Sequence, residues 1–310
     1  MKISAIHIGR VSIPLKRPFK TALRRVDSAE DIVIRVEADS GEVGFGNAPP
    51  TAVITGDSQD SIVAAIRDTL GPRLIGQDVE NLEAIMGLLD AGMLHNHSAK
   101  AALDIAVYDL FARRFGMPLY KFFGGYRTAF ETDLTISLNA PDEMVRDALS
   151  AVGEGYTALK LKVGNDPALD FARVRAIRDA VGSAVSIRLD ANQGWGAKEA
   201  VRIIRRFEAE GLGIELIEQP VKAHDLEGLK YVTDHVETDI MADESAFGPY
   251  EVFQLLSHRA CDLISIKLMK AGGLHNALKI AHFAETLDVQ CMMSCMLESK
   301  VGITAAASLA

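Results

Sequence analysis

Seven short apolar runs follow one another through the later part of the chain at a nearly constant interval, and that interval constrains the fold more than any other feature. The runs are TDLTISL, TALKLKV, VSIRLDA, IELIEQP, TDIMADE, DLISIKL and VQCMMSC. Their anchor residues Thr135, Lys162, Asp190, Glu218, Asp243, Lys267 and Cys291 stand 27, 28, 28, 25, 24 and 24 residues apart. Each gap holds a helical stretch, and strands joined by helical crossovers of that length pair in parallel. Seven βα units in series favour a barrel over a doubly wound sheet. No GxGxxG or GxxxxGK[ST] follows any run, which counts against a nucleotide-binding sheet. The expected fold is therefore α/β, a TIM-like (β/α)7β barrel over residues 126–310 preceded by an α+β capping domain over residues 1–125.

The first segment has a different texture. Ile3 to Ile13 alternates, Asp31 to Glu37 is β-branched, and Asp39-Ser40-Gly41 is a turn before Val43 to Phe45, which together predict a small antiparallel meander. From Asp60 to Phe115 the pattern turns helical. The clearest helix starts near Asn96 or Ser98 and stops at Gly116 ahead of Pro118. A chain of 310 residues buries enough core to need no disulfides. Cys261, Cys291 and Cys295 carry no metal-type spacing and fit a reducing compartment. A net charge of −9 with no basic run excludes nucleic acid and anionic membrane as natural partners. The start lacks the continuous apolar core of a signal peptide, and no run reaches the length of a membrane span. A cytoplasmic protein acting on a small molecule is the expectation.

Asp190, Glu218 and Asp243 each close a predicted strand, at the barrel face where catalytic groups collect. Three converging carboxylates repel one another. A hard divalent cation resolves that repulsion, Mg²⁺ first because it keeps positions open for water and substrate oxygens. The plain alternative is three unrelated helix caps. Lys160 and Lys162 are two apart on one strand, so both point into the barrel. Side by side, each makes the other costlier to charge, which predicts depressed ammonium pKa values and a neutral amine able to act as a base. Surface lysines are the alternative, opposed by the flanking Leu159, Leu161 and Val163. Lys267 stands at the corresponding height across the ring, so two amines could flank one substrate carbon. Lys270 is expected in the loop before Gly272-Gly273, as a solvated or supporting charge.

Taken in order, these motifs resemble the enolase superfamily in its muconate-lactonizing subgroup. The resemblance rests on the KxK lysines, DANQGW with Asp190, EQP with Glu218, ADES with Asp243 and IKLMKAGG with Lys267. PFKTALR, APPTAVITGD and CMLESKVGITAAA look most like the L-Ala-D/L-Glu dipeptide epimerases. The resemblance implies Mg²⁺ held by Asp190, Glu218 and Asp243, with Lys162 and Lys267 removing and returning a proton next to a carboxylate through an enediolate. Lys160 becomes the electrostatic helper of Lys162, and Asn192 a group supporting the metal ligands. Arg24 is similar to the residue that recognises the acidic side chain of the dipeptide. Ile54, Thr135 and Glu298 are carried over as further substrate-binding residues.

Asn47 stands where the family commonly has Glu. The family also continues into an eighth barrel strand, so a gap between the strands around Thr135 and Met292 is expected here. The same metal triad serves o-succinylbenzoate synthase and muconate cycloisomerase, which are the enzyme alternatives. A truncated, catalytically impaired relative with a binding role is the rival of another class. A homo-oligomer remains open.

Overall fold

The computed structural model describes every residue from Met1 to Ala310. The chain begins with an antiparallel sheet of three strands in the order β1-β2-β3, Ile3–Lys20, Arg25–Ala38 and Val43–Ala48. β1 runs past Ile13, where the alternation of the sequence breaks at Pro14, Lys16, Arg17 and Pro18. Two prolines are tolerated because β1 is an edge strand, and its register shifts between Pro14 and Phe19.

Helices follow: α1 (Gln59–Ala64) continues through a wider turn into α2 (Gly71–Leu74), then come α3 (Leu82–Gly92), α4 (His97–Arg114) and α5 (Leu119–Phe122). α4 is buried almost all round, with Ala99, Ala101, Ala102 and Ala106 at 0% exposure. Its small residues let β3 lie directly on it: a Cβ added at Gly46 would stand 1.9 Å from the Ala102 carbonyl oxygen, so only glycine fits there.

The rest of the chain alternates as the spacing predicts. The order is β4 (Leu134–Ile136), α6 (Pro141–Gly153), β5 (Ala158–Lys162), α7 (Pro167–Val181), β6 (Ser186–Asp190), α8 (Ala197–Ala209), β7 (Ile214–Glu218) and α9 (Leu226–Thr233). Then come β8 (Asp239–Ala242), α10 (Pro249–Ser257), β9 (Leu263–Lys267), α11 (Leu268–Ala271), α12 (Leu274–Thr286), β10 (Gln290–Ser294) and α13 (Lys300–Leu309). The seven strands form one parallel sheet in sequence order, and β4 and β10 are its two unpaired edges. The barrel-like sheet is thus open at the expected place. Arg188, inside it on β6, reaches towards both edges: its guanidinium lies 3.0 Å from Asp133 and 3.5 Å from the sulfur of Met292.

The N-terminal segment meets the strand-end face at three places. The Lys20 carbonyl accepts from the Leu138 amide at 3.0 Å, just after β4. Asn47 at the end of β3 donates to Glu298 at 3.2 Å. Asp104 on α4 accepts from the Leu274 amide at 2.6 Å, at the start of α12. No helix is long and apolar enough to cross a membrane.

Candidate active site

Parallel register sets the first row of functional side chains. Lys162 on β5 is the partner of Asp190 on β6, which is the partner of Glu218 on β7. Residues in register point to the same side, so the three are aimed together into the mouth of the sheet. Asp243 follows the end of β8 and Lys267 ends β9. Asp190, Glu218 and Asp243 are 0% exposed, and Lys162 and Lys267 only 6% and 7%.

Each carboxylate is engaged by an ammonium group. Lys162 Nζ lies 2.5 Å from Asp190, and Lys160 Nζ 3.1 Å from Glu218. Lys267 Nζ pairs with Asp243 and stands 3.7 Å from the other oxygen of Glu218. Lys162 and Lys267 thus reach one carboxylate set from opposite ends of a five-strand row.

These pairings correct one expectation. Burial pulls the Lys160 ammonium down, but the Glu218 and Asp190 carboxylates outweigh it, and the group is raised rather than depressed. Lys267 is raised for the same reason, Asp243 and Glu218 overcoming burial. The lysine charge that does oppose Lys160, that of Lys267, weighs less than the Glu218 and Asp190 carboxylates. Burial raises Glu218, with the Asp190 charge adding to it. Asp243 is also buried, yet Lys267 and Lys270 hold it well below the usual carboxylate range.

Lys270 is neither solvated nor in a loop. It sits on α11, fully buried, with Nζ 2.6 Å from an Asp243 carboxylate oxygen and 3.0 Å from the Ser265 carbonyl oxygen. Burial lowers its ammonium pKa. The signal in the sequence was its setting, a lysine among Leu268, Met269 and Ala271. Glu244 was missed as well. It is 3% exposed, and burial, then the Asp243 and Asp190 charges, push it up to about 8. Gln219 was also missed; its side-chain Oε1 accepts from the Asp243 amide at 2.9 Å and the Ser245 amide at 3.0 Å, which fixes the backbone beneath Asp243. Asn192 donates from its backbone to Asp190 at 2.9 Å and from its side chain to Glu244 at 3.1 Å, so it braces both acids.

The chemistry of the donor set fits a hard cation. All the acidic donors are oxygens, and the buried Glu218 Oε1, Glu244 Oε2 and Asn192 Oδ1 have no hydrogen-bond partner. As oriented, no three acidic side chains stand together as a ligand set, because each leans onto a lysine.

The remaining expected residues are spread around this cluster. Phe19, at the end of β1, places its ring 5.7 Å from Lys162 Nζ. The turn that follows, Thr21 to Arg24, is closed by the Thr21 amide donating to the Arg24 carbonyl at 2.9 Å. Arg24 is half-buried, its pKa is lowered by that burial, and no carboxylate lies within ion-pair distance of it. Ile54 donates its amide to the Thr51 carbonyl at 2.9 Å and packs against the core. Thr135 is the register partner of Lys160. Glu298 bonds the Met296 amide at 2.8 Å and Asn47 at 3.2 Å, makes no hydrogen bond to the lysine cluster, and is pushed up to about 7 by burial.

This fold and site agree with the comparisons. Residues 143–310 match the family described as enolase C-terminal domain-like, and residues 4–124 match the mandelate racemase / muconate lactonizing enzyme N-terminal domain. The chain belongs to the enolase superfamily, in its mandelate racemase and muconate lactonizing branch. Among known relatives, it is 54% identical over 310 residues to the L-Ala-D/L-Glu epimerase of Clostridium acetobutylicum, covering 100% of this chain and 87% of that one. A substrate-liganded complex of the L-Ala-D/L-Glu epimerase from Bacillus subtilis superposes with a TM-score of 0.99 at 54% identity, over 100% of this chain and 86% of that one. A dipeptide epimerase from Enterococcus faecalis, complexed with Mg and the dipeptide L-Leu-L-Tyr, gives a TM-score of 0.97 at 43% identity, covering 100% and 87%.

Proposed function

We propose that this protein is a Mg²⁺-dependent dipeptide epimerase acting on L-Ala-D/L-Glu and similar dipeptides, with residues 1–125 capping a barrel formed by residues 126–310. The observation that carries the reading is the placement of Lys162 and Lys267 at opposite ends of one buried carboxylate row. Asp190, Glu218 and Asp243 would hold Mg²⁺, which when bound supplies positive charge to the substrate's carboxylate oxygens as the neighbouring carbon loses its proton. Lys162 takes the proton from one face and Lys267 returns one to the other, so the configuration inverts without any other bond changing. Lys160 keeps positive charge beside Glu218, and Asn192 holds Asp190 in place. Arg24, without a carboxylate of its own, offers a two-pronged donor to an acidic substrate side chain. Thr135, Ile54 and Glu298 complete the substrate surroundings.

The lactonizing and synthase alternatives are not favoured, because relatives sharing more than half of the residues are named as epimerases. The test is incubation of a dipeptide set in D₂O with Mg²⁺, followed by NMR. Deuterium should enter at one α-carbon while a single epimer becomes a mixture, fastest for L-Ala-L-Glu or L-Ala-D-Glu. No exchange in any dipeptide would overturn the proposal.

A further inference from the structure

We propose that Asp104, on α4 and remote in sequence from every catalytic group, is a positioning residue for Lys267 through the turn that joins β9 to α12. The inference rests on the reading of Lys267 as one of two proton-transferring lysines.

Asp104 is 2% exposed, and neither a lysine nor an arginine lies within ion-pair distance of it. Burial raises its carboxyl pKa, while the amides of Leu274 and His275 pull the other way. One oxygen accepts from the Leu274 amide at 2.6 Å and the other from the His275 amide at 3.2 Å. The first backbone amides of the 13-residue α12 are therefore the partners of both oxygens of this side chain. One turn further along α4, the Tyr108 hydroxyl lies 3.2 Å from His275 Nδ1, a second tie to the same helix start.

From that anchor the path to Lys267 is short and stiff. A Cβ added at Gly273 would stand 2.2 Å from Asp104 Cγ, and Gly273 has φ +126°, so backbone and carboxylate meet where only glycine fits. The amides of Gly272 and Gly273 both donate to the Leu268 carbonyl at 2.9 Å, and Leu268 is the residue after Lys267. On its inner side, α11 is held by Lys270 to Asp243 and Ser265. The turn bearing Lys267 is thus gripped from within by Lys270 and from without by Asp104. β5 and β9 are both laddered on two sides, but the hydrogen bonds of Asp104 go only to the start of α12, beyond the turn that follows Lys267, and none goes to β5 or Lys162. Displacing Asp104 should therefore disturb one face of the substrate and not the other.

The experiment compares D104N and G273A with the parent and with K267A, following early α-proton exchange in D₂O with Mg²⁺, separately for L-Ala-L-Glu and L-Ala-D-Glu. K267A identifies the epimer that Lys267 serves. For that epimer, D104N should lose about tenfold or more in exchange rate, since displacements of an ångström cost up to about a hundredfold. The other epimer should keep its rate within about twofold. G273A should show the same bias, which keeps the test decisive where one variant folds poorly. A purely structural role would lower both rates together; that result, or no loss in either, overturns the proposal. If K267A itself spares both epimers, the two-lysine reading falls and takes this inference with it. A K267A that loses one epimer beside an unbiased D104N removes this inference alone.

Discussion

At and just beyond the ends of β5 to β9, the lysines Lys160, Lys162, Lys267 and Lys270 pair with the acids Asp190, Glu218 and Asp243, and Asn192 holds Glu244 beside them. In the turn after β1, Arg24 is half-buried with no carboxylate partner, and Ile54 lies in another turn of the same segment. Strand register fixes the first group, because a slip would turn Lys162 or Asp190 away from the mouth of the sheet. Local turn hydrogen bonds, with Ile54 packed against the core, fix the second. Under the proposed function, the chemistry lies on rigid strands and substrate choice on loops that can change.

The largest effect should come from the strand group. K162A and K267A should each lower epimerisation by about a thousandfold, while each retains D₂O exchange of one epimer, as NMR of the two purified epimers would show. Full epimerisation by either variant would break the two-sided arrangement. Removing divalent metal with a chelator should stop turnover and added Mg²⁺ should restore it; D190N should bind Mg²⁺ more weakly by calorimetry, independently of any substrate.

The loop group should give smaller and selective effects. R24M should lower kcat/KM for L-Ala-Glu substrates about a hundredfold, the cost of leaving a carboxylate without its charged donor, and change apolar dipeptides by less than about threefold. Equal losses in both classes would make Arg24 part of the fold rather than of recognition.

The smallest effect concerns Glu298, where the end of β3 meets the residues after β10. Its carboxyl, raised to about 7 by burial, faces Asp31, Asn47 and the Met296 amide. The folded chain then holds a proton on Glu298 that the unfolded chain releases near pH 4.5, so the contribution of this group to stability falls as pH rises from about 4.5 to about 7. E298Q lacks this titration. The stability difference between parent and E298Q should shift by at most about 2 kcal/mol across that window in denaturant melts, allowing for the partial exposure of the side chain.

Much of the strand group was legible because its signals are periodic. Strand ends at 24 to 28 residue intervals carry Asp190, Glu218, Asp243 and Lys267, and only a repeated unit yields such spacing. Lys160 and Lys162 followed from the two-residue period of a strand. The charge states did not follow, because they depend on distances across strands: Lys160 meets Glu218 from 58 residues away. Lys270 was misplaced because two glycines after it suggested a loop, whereas one helical turn fits between Lys267 and Gly272. β1 was cut short at Ile13 because prolines usually end strands, and only its place at the sheet edge lets it continue to Lys20. The contact of Asp104 with α12 had no sequence signal, since nothing local announces a cap supplied from far away.

That contact also carries a timetable. Asp104 and Leu274 are 170 residues apart, and at about 5–20 residues per second a ribosome needs roughly ten to thirty seconds to make the second after the first. Throughout that interval α4 carries a carboxylate whose docking partner has not been synthesised. The N-terminal segment can form its sheet early, but its inner face must wait, hydrated, for the start of α12 to arrive. During synthesis, the last of these regions to mature is therefore the seam between the first helices and the strand ends.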